Sequence, residues 1–177
     1  MRIVSGKYKG KRFSPPKKFP SRPTTDFAKE SLFNILENQL YWEDIKVLDL
    51  FAGTGNISVE MLSRGASSVL SVDIHPVCIR HLNKMQEELS DGNWRILKKD
   101  AFKFLAEHPT KYDLIFADPP FGLKGVDTLP DLVFESEKLS QDGLLIIEHG
   151  KENDFSTHAH FKEVRNYGGV NFSFFSQ

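Results

Sequence analysis

The sequence predicts an α/β fold: a mostly parallel, seven-stranded sheet flanked by helices, ending in an antiparallel hairpin and preceded by a small hairpin-and-helix extension. Three observations predict it. From Lys46 onward, short apolar runs alternate with segments of helical period, the pattern of β–α units on a sheet covered on both faces. Near the C-terminus, two strand-like runs flank Gly168-Gly169, which reads as an antiparallel hairpin. The chain of 177 residues, 40% hydrophobic and 27% charged, is long enough to bury one substantial core.

Each element has a local reason. Residues 2–4 and 11–13 read as two short strands around a turn at 6–10. Pro15, Pro16, Pro20 and Pro23 hold an extended connector, because proline fixes φ and pushes the residue before it out of the helical region. Thr24 or Thr25 is a natural N-cap, and Asp26 suits the first turn of the helix that follows. Ala28, Leu32, Ile35, Leu36 and Leu40 share one face of that helix. Residues 47–51 are apolar except for Asp49 and read as a buried strand; Gly53 and Gly55 then punctuate a turn into a helix over 57–64, closed by Gly65. A second strand over 68–72 ends at Asp73, and a helix over 76–89 has Pro76 in its first turn. A third strand over 94–97 ends near Asp100, before a short helix carrying Phe102, Phe104 and Leu105. A fourth strand covers 112–117, a helix is expected over 127–139, and a fifth strand over 143–148. Residues 1–40 are expected to form a basic extension and residues 41–177 the main domain.

Composition narrows the function. Cys78 is the single cysteine, which excludes an intrachain disulfide, and it reads as a core residue rather than a nucleophile. No run approaches the ~18 apolar residues of a membrane span, and the N-terminus lacks the apolar region of a secretory signal; a cytoplasmic protein is expected. The net charge of −1 conceals an asymmetry. Arg2, Lys7, Lys9, Lys11, Arg12, Lys17, Lys18 and Arg22 crowd the first 22 residues, which hold no acid, so the remaining body is acidic. A basic segment with Tyr8 and Phe13 among its charges suits a polyanion whose bases can be stacked upon, although many basic termini are merely solvated. His149, His158 and His160 lack the further ligands of a metal site and read as ordinary histidines, so no metal is expected.

The chemistry concentrates at strand ends. Asp118-Pro119-Pro120-Phe121 follows the fourth strand as a stiff, extended loop. It offers one carboxylate, backbone carbonyls and one aromatic face, a set that suits a flat ring bearing an exocyclic amine. Gly53-Thr54-Gly55, after a strand and before a helix, lets a ligand approach backbone N–H groups. Dinucleotide folds carry a third glycine where this chain has Ser58. Asp73, 18 residues after Gly55, is placed to take two ribose hydroxyls. Asp49, Asp73, Asp100 and Asp118 each stand near the carboxyl end of a different strand. Four acids around one cleft call for a cationic or donor-rich ligand. A nucleoside with hydroxyls, an amine and a positive sulfonium is such a ligand; a pyrophosphate is not, which argues against a nicotinamide oxidoreductase.

These residues resemble those of class I, S-adenosylmethionine-dependent amino-methyltransferases, with a Rossmann-like fold. The N-terminal segment from Arg2 to Lys11, the segment Arg22-Pro23-Thr24-Thr25-Asp26 with Glu30-Ser31-Leu32-Phe33-Asn34, and Phe51-Ala52-Gly53-Thr54-Gly55 are more specifically similar to the bacterial RsmD family, which methylates a guanine N2 in 16S ribosomal RNA. The resemblance covers nearly the whole chain and is weakest after Asn153; Phe27 departs from it, where family members often carry a basic residue. It implies cofactor contacts at Asp49, Phe51, Gly53, Thr54, Gly55, Asp73, Ile74, Asp100, Ala101 and Asp118. Gly53 and Gly55 would approach the amino-acid part, Asp73 the ribose and Asp100 the adenine amine, with the Ala101 N–H near the ring. It implies catalysis by Asp118, Pro119, Pro120 and Phe121, and RNA contacts at Lys7, Lys9, Lys11, Arg12, Arg22, Thr24, Thr25 and Phe121. The expected partner is ribosomal RNA or a partly assembled small subunit, bound by a monomer. Asp-Pro-Pro-aromatic alone does not separate guanine N2 from adenine N6 or a glutamine amide. A non-catalytic nucleic-acid-binding relic of the fold is the alternative from another class.

Overall fold

A computed structural model describes residues 1–20 and 24–177. Strands β1 (Lys46–Leu50), β2 (Ser68–Asp73), β3 (Trp94–Lys98), β4 (Tyr112–Ala117) and β5 (Leu139–His149) run parallel. β6 (Phe161–Tyr167) and β7 (Val170–Phe175) add the antiparallel hairpin, turned by Gly168 and Gly169, both at positive φ. The seven form one sheet in the order β3-β2-β1-β4-β5-β7-β6. The strand order reverses between β1 and β4, and crevices at such a switch point hold ligands in open α/β sheets.

Alternation along the strands divides the interior into two cores. Val47, Phe116 and Ile146 pack on one face with α1 (Asp26–Leu36), α2 (Asn56–Arg64) and α3 (Pro76–Leu89). Leu48, Leu50, Ala117 and Ile147 pack on the other with α4 (Ala101–Glu107) and α5 (Leu129–Glu135). The period of two therefore turns Asp49, between Leu48 and Leu50, toward the first face, where α2 packs.

Three expectations are corrected. The helix expected over 127–139 is a 3-10 turn (Val126–Thr128) followed by the short α5; Glu137 at φ +51 breaks it. Leu139 pairs with Tyr112 and packs into the sheet's own core, so β5 begins well before Gly143. At the N-terminus, the two expected strands shorten to one antiparallel bridge, Arg2 to Arg12, flanked by backbone bonds from Ile3 N–H to the Lys11 carbonyl at 3.0 Å and from Phe13 N–H to the Met1 carbonyl at 3.1 Å. Ile3 and Phe13 nonetheless pack into the same core as α1 and α2.

A buried ionic cluster fixes this hairpin to α2. Lys29 and Glu60 are both fully buried, 3.5 Å apart. Glu60 accepts the N–H groups of Val4 at 2.8 Å and Ser5 at 3.0 Å, together with the Arg64 guanidinium. The Lys29 ammonium donates to the Arg2 carbonyl at 2.6 Å and to Asn56 Oδ1 at 2.8 Å, and Asn56 Nδ2 donates to the Thr24 carbonyl at 3.0 Å. Satisfying donors and acceptors on both sides is what makes a buried ion pair tolerable. Here it also ties the segment before α1 to the start of α2.

Candidate active site

An open cleft of about 530 Å³ lies beyond the carboxyl ends of the strands, across the switch point between β1 and β4. Asp118, Pro119, Pro120 and Phe121 line it together with Gly53 and Thr54, and so do Asp49, Phe51, Asp73, Ile74, Asp100, Ala101 and Thr24. The diproline corner and the glycine turn therefore face one another.

The residues differ in what they do there. Asp73 organises the turn: its Oδ2 accepts the Gly53 N–H at 2.8 Å and its Oδ1 the His75 N–H at 2.7 Å. Gly53 sits at φ +52, and Phe51 at φ +61, a region bulky residues rarely occupy. Gly55, at φ +73, is absent from the lining; a Cβ there would stand 2.5 Å from Leu82 Cδ2, so this glycine permits the packing of α2 on α3. Asp100 caps α4, with Oδ1 accepting from Lys103 N at 3.0 Å, while still lining the cleft. Cys78, which lines the cleft, is buried, and burial pushes its thiol up to about 12, consistent with a core role.

Asp49 heads a chain of buried hydrogen bonds. Trp94 Nε1, which can only donate, gives 2.8 Å to Ser71 Oγ; Ser71 and Ser58 hydroxyls stand 2.6 Å apart; Ser58 donates to Asp49. The direction is fixed from indole to carboxylate. Ser58, in place of the third dinucleotide glycine, thus has a definite task. Burial pushes the Asp49 carboxyl up to about 7, opposed by the Ser58 bond and reinforced by the charge of Asp73.

Asp118 lies beyond β4, its N–H donating to the Leu50 carbonyl at 3.4 Å. Leu123 N–H takes the Pro120 carbonyl at 3.0 Å and closes the turn through Gly122 at φ +74. Among the described residues no donor takes the Pro119 carbonyl, and Phe121 is 88% exposed at the rim. Burial, the neighbouring Glu148 and then Asp49 hold the Asp118 carboxyl well above the ordinary carboxylate range.

Glu148 escaped the sequence reading. It ends the apolar run of β5, is buried, and accepts from the Thr24 hydroxyl at 3.0 Å. Burial pushes it up to about 7, the Thr24 bond opposing. The available signal was that it closes a strand with an acid, as Asp73 closes β2.

The predicted RNA contacts are scattered. Thr24 lines the cleft; Thr25 instead caps α1, its hydroxyl accepting the Ala28 N–H at 3.2 Å. Lys7 is 2.6 Å from Asp91, and Lys11 donates to the Glu88 carbonyl at 3.1 Å, both toward the far ends of α2 and α3 from the cleft. Lys9 and Arg12 are exposed on the same hairpin, and Arg22 lies outside the described residues. Phe27, 63% exposed, packs edge-on against Tyr167 at 6.3 Å.

The family model described as Conserved hypothetical protein 95 matches residues 1–176. The chain belongs to this family. It is 32% identical over 157 residues to Ribosomal RNA small subunit methyltransferase D of Escherichia coli K12, covering 89% of this chain and 78% of the relative. It is 33% identical over 151 residues to the protein of the same name from Buchnera aphidicola subsp. Baizongia pistaciae, covering 84% and 75%. The solved structure of Escherichia coli yhhF superposes with a TM-score of 0.87 at 28% identity, over 99% of this chain and 96% of that one. The fold also matches the Thermus thermophilus 16S rRNA N2 G1207 methyltransferase, solved with AdoMet and guanosine, with a TM-score of 0.70 at 22% identity over 90% of this chain and 45% of that one. The fold is thus the Rossmann-like one of class I methyltransferases.

Proposed function

We propose that this protein transfers a methyl group from S-adenosylmethionine to the exocyclic N2 of a guanine in small-subunit ribosomal RNA. One observation carries the reading: the Asp118-Pro119-Pro120-Phe121 corner and the Gly53 turn line the same cleft. The names of the relatives support the RNA class.

The residues present fit the donor. Asp73 and Asp100 each spend oxygens on backbone N–H groups, which fixes their carboxylates, and both still face the cleft. Ile74 and Phe102 supply apolar lining for a purine ring. When bound, the sulfonium supplies an electrophilic methyl group and a thioether leaving group. The obstacle is the guanine amine, whose lone pair is delocalised into its ring. Asp118 and the Pro119 carbonyl accept its two N–H bonds and hold the nitrogen facing the methyl. Such positioning lowers the entropic barrier, and the carboxylate favours the positive charge that develops on nitrogen. Phe121, exposed at the rim, stacks on a base taken out of its helix. The N-terminal hairpin and Thr24 serve as the RNA-facing extension.

Asp118→Ala is expected to lower methyl transfer to unmodified small subunits by at least ~10²-fold while S-adenosylmethionine binding, measured by calorimetry, persists. Near-normal turnover in that variant would overturn the amine clamp. Mass spectrometry of ribosomal RNA nucleosides, with and without the protein, should reveal N2-methylguanosine; N6-methyladenosine instead would reassign the acceptor, and no change would favour a relic that binds without chemistry.

A further inference from the structure

We propose that Glu148 is a positioning residue for Asp118: the two carboxyl groups share one proton across adjacent strand ends, and Thr24 sets how that proton is shared. The inference rests on the methyl-transfer reading above. Ala117 pairs with Ile147, so Asp118 and Glu148 stand opposite one another one residue further along. Neighbouring strands run about 4.8 Å apart, and laterally paired residues point to the same face. Glu148 is buried to 6% exposure, and its Oε2 is fixed by the Thr24 hydroxyl at 3.0 Å. Thr24 is itself fixed through its carbonyl by Asn56, and Asn56 by the fully buried Lys29. The Glu148 carboxyl is therefore oriented by the core of the fold, on the side of Asp118 away from β1.

Two buried carboxyl groups set opposite one another on neighbouring strands oppose each other's ionisation. Among the described residues, the ionisable groups acting on Asp118 are Glu148 from β5 and Asp49 from β1, both acids; Thr24, from the segment before α1, acts on Glu148. The pair then carries one negative charge, enough to accept an N–H bond from the amine, with room for one more proton. In the reaction the N–CH₃ bond forms as the C–S bond breaks, and its electron pair leaves on sulfur. The nitrogen, now cationic, gives up its proton to the Asp118–Glu148 pair, which returns it to water once product leaves.

The test uses the full-length protein. Carboxyl carbons are labelled with ¹³C, and Asp118 is titrated by NMR in the ligand-free state for wild type, Glu148→Gln and Thr24→Val. Removing the neighbouring charge in Glu148→Gln should move the Asp118 midpoint down. Removing the hydroxyl that favours ionised Glu148 should move the pair's midpoint up in Thr24→Val. The acid limb of the pH–rate profile for methyl transfer should follow the same two directions, with S-adenosylmethionine affinity unchanged in Glu148→Gln. Identical Asp118 titrations in all three proteins would overturn the proposal. If Glu148→Gln does not fold, Thr24→Val carries the test alone, and an unmoved midpoint there overturns the proposal. Coupled titrations in a protein that methylates no RNA would leave the carboxyl pair standing while removing the proposed reaction.

Discussion

Asp49 shows how a residue read as a ligand contact can also belong to the interior. It is 2% exposed and ends a one-way chain of hydrogen bonds from Trp94. Its carboxyl is pushed up to about 7 by burial, above its ordinary value of 3.8. Between these two values the folded state holds a proton that the unfolded state has lost, so this group's contribution to stability falls as pH rises through the window. Asp49→Asn removes that dependence. Relative to wild type, the variant should gain roughly a few kcal/mol of stability between pH 4 and pH 8, read from urea unfolding at constant ionic strength. A stability difference independent of pH would show that Asp49 titrates normally. Referring the measurement to wild type removes His81, His108 and His149, whose burial lowers their values and works in the opposite direction.

At the scale of the element, the hairpin before α1 is closed by its own backbone bonds but docks on α2 through buried ions. Backbone bonds close it, from Ile3 N–H to the Lys11 carbonyl at 3.0 Å and from Phe13 N–H to the Met1 carbonyl at 3.1 Å, while Glu60 accepts two of its N–H groups and faces Lys29. Glu60→Gln leaves the Lys29 ammonium buried without its counter-charge. That should cost about 3–5 kcal/mol of unfolding free energy and raise proteolysis within residues 1–20 ahead of the sheet. Lys29→Met in the same background should restore part of the loss, because a neutral pair needs no compensation; failure of the double variant to recover would place the cost elsewhere. Little of this was visible in the sequence. Lys29 precedes Glu30 and Ser31 and reads as a solvated helical cation, and Glu60 reads as an ordinary helical acid. Only the docking of two distant segments buries both.

Across the whole molecule, charge is distributed differently from its order along the chain. The Gly6 turn lies against Ser63 near the far end of α2, seven residues and about 10 Å of helix beyond Asn56, which lines the cleft. Lys7 and Lys11 already serve Asp91 and the Glu88 carbonyl. Lys9, Arg12, Lys17 and Lys18 are exposed, and they are the better candidates for phosphates. Replacing these four with alanine should flatten the salt dependence of RNA binding by roughly 0.7–0.9 in log–log slope for each phosphate no longer neutralised, followed by fluorescence anisotropy. Lys7→Ala should change that slope less, and an equal effect would show that the turn itself meets RNA.

The order of strands and helices was legible because it is written in local periodicity and in glycine and proline chemistry. So was most of the cleft: a diproline corner after one strand and a glycine turn after another must meet if the sheet reverses its order between them. Other features depended on distance in space. The length of β5 was decided by pairing with Tyr112, and the task of Gly55 by Leu82 on the neighbouring helix. Glu148 acquired its place only when β5 came to lie beside β4 and the Thr24 hydroxyl was brought against it. Local chemistry fixes what a residue can do; burial and neighbours, which tertiary contact alone supplies, decide whether a carboxyl is a solvated charge or one half of a shared proton.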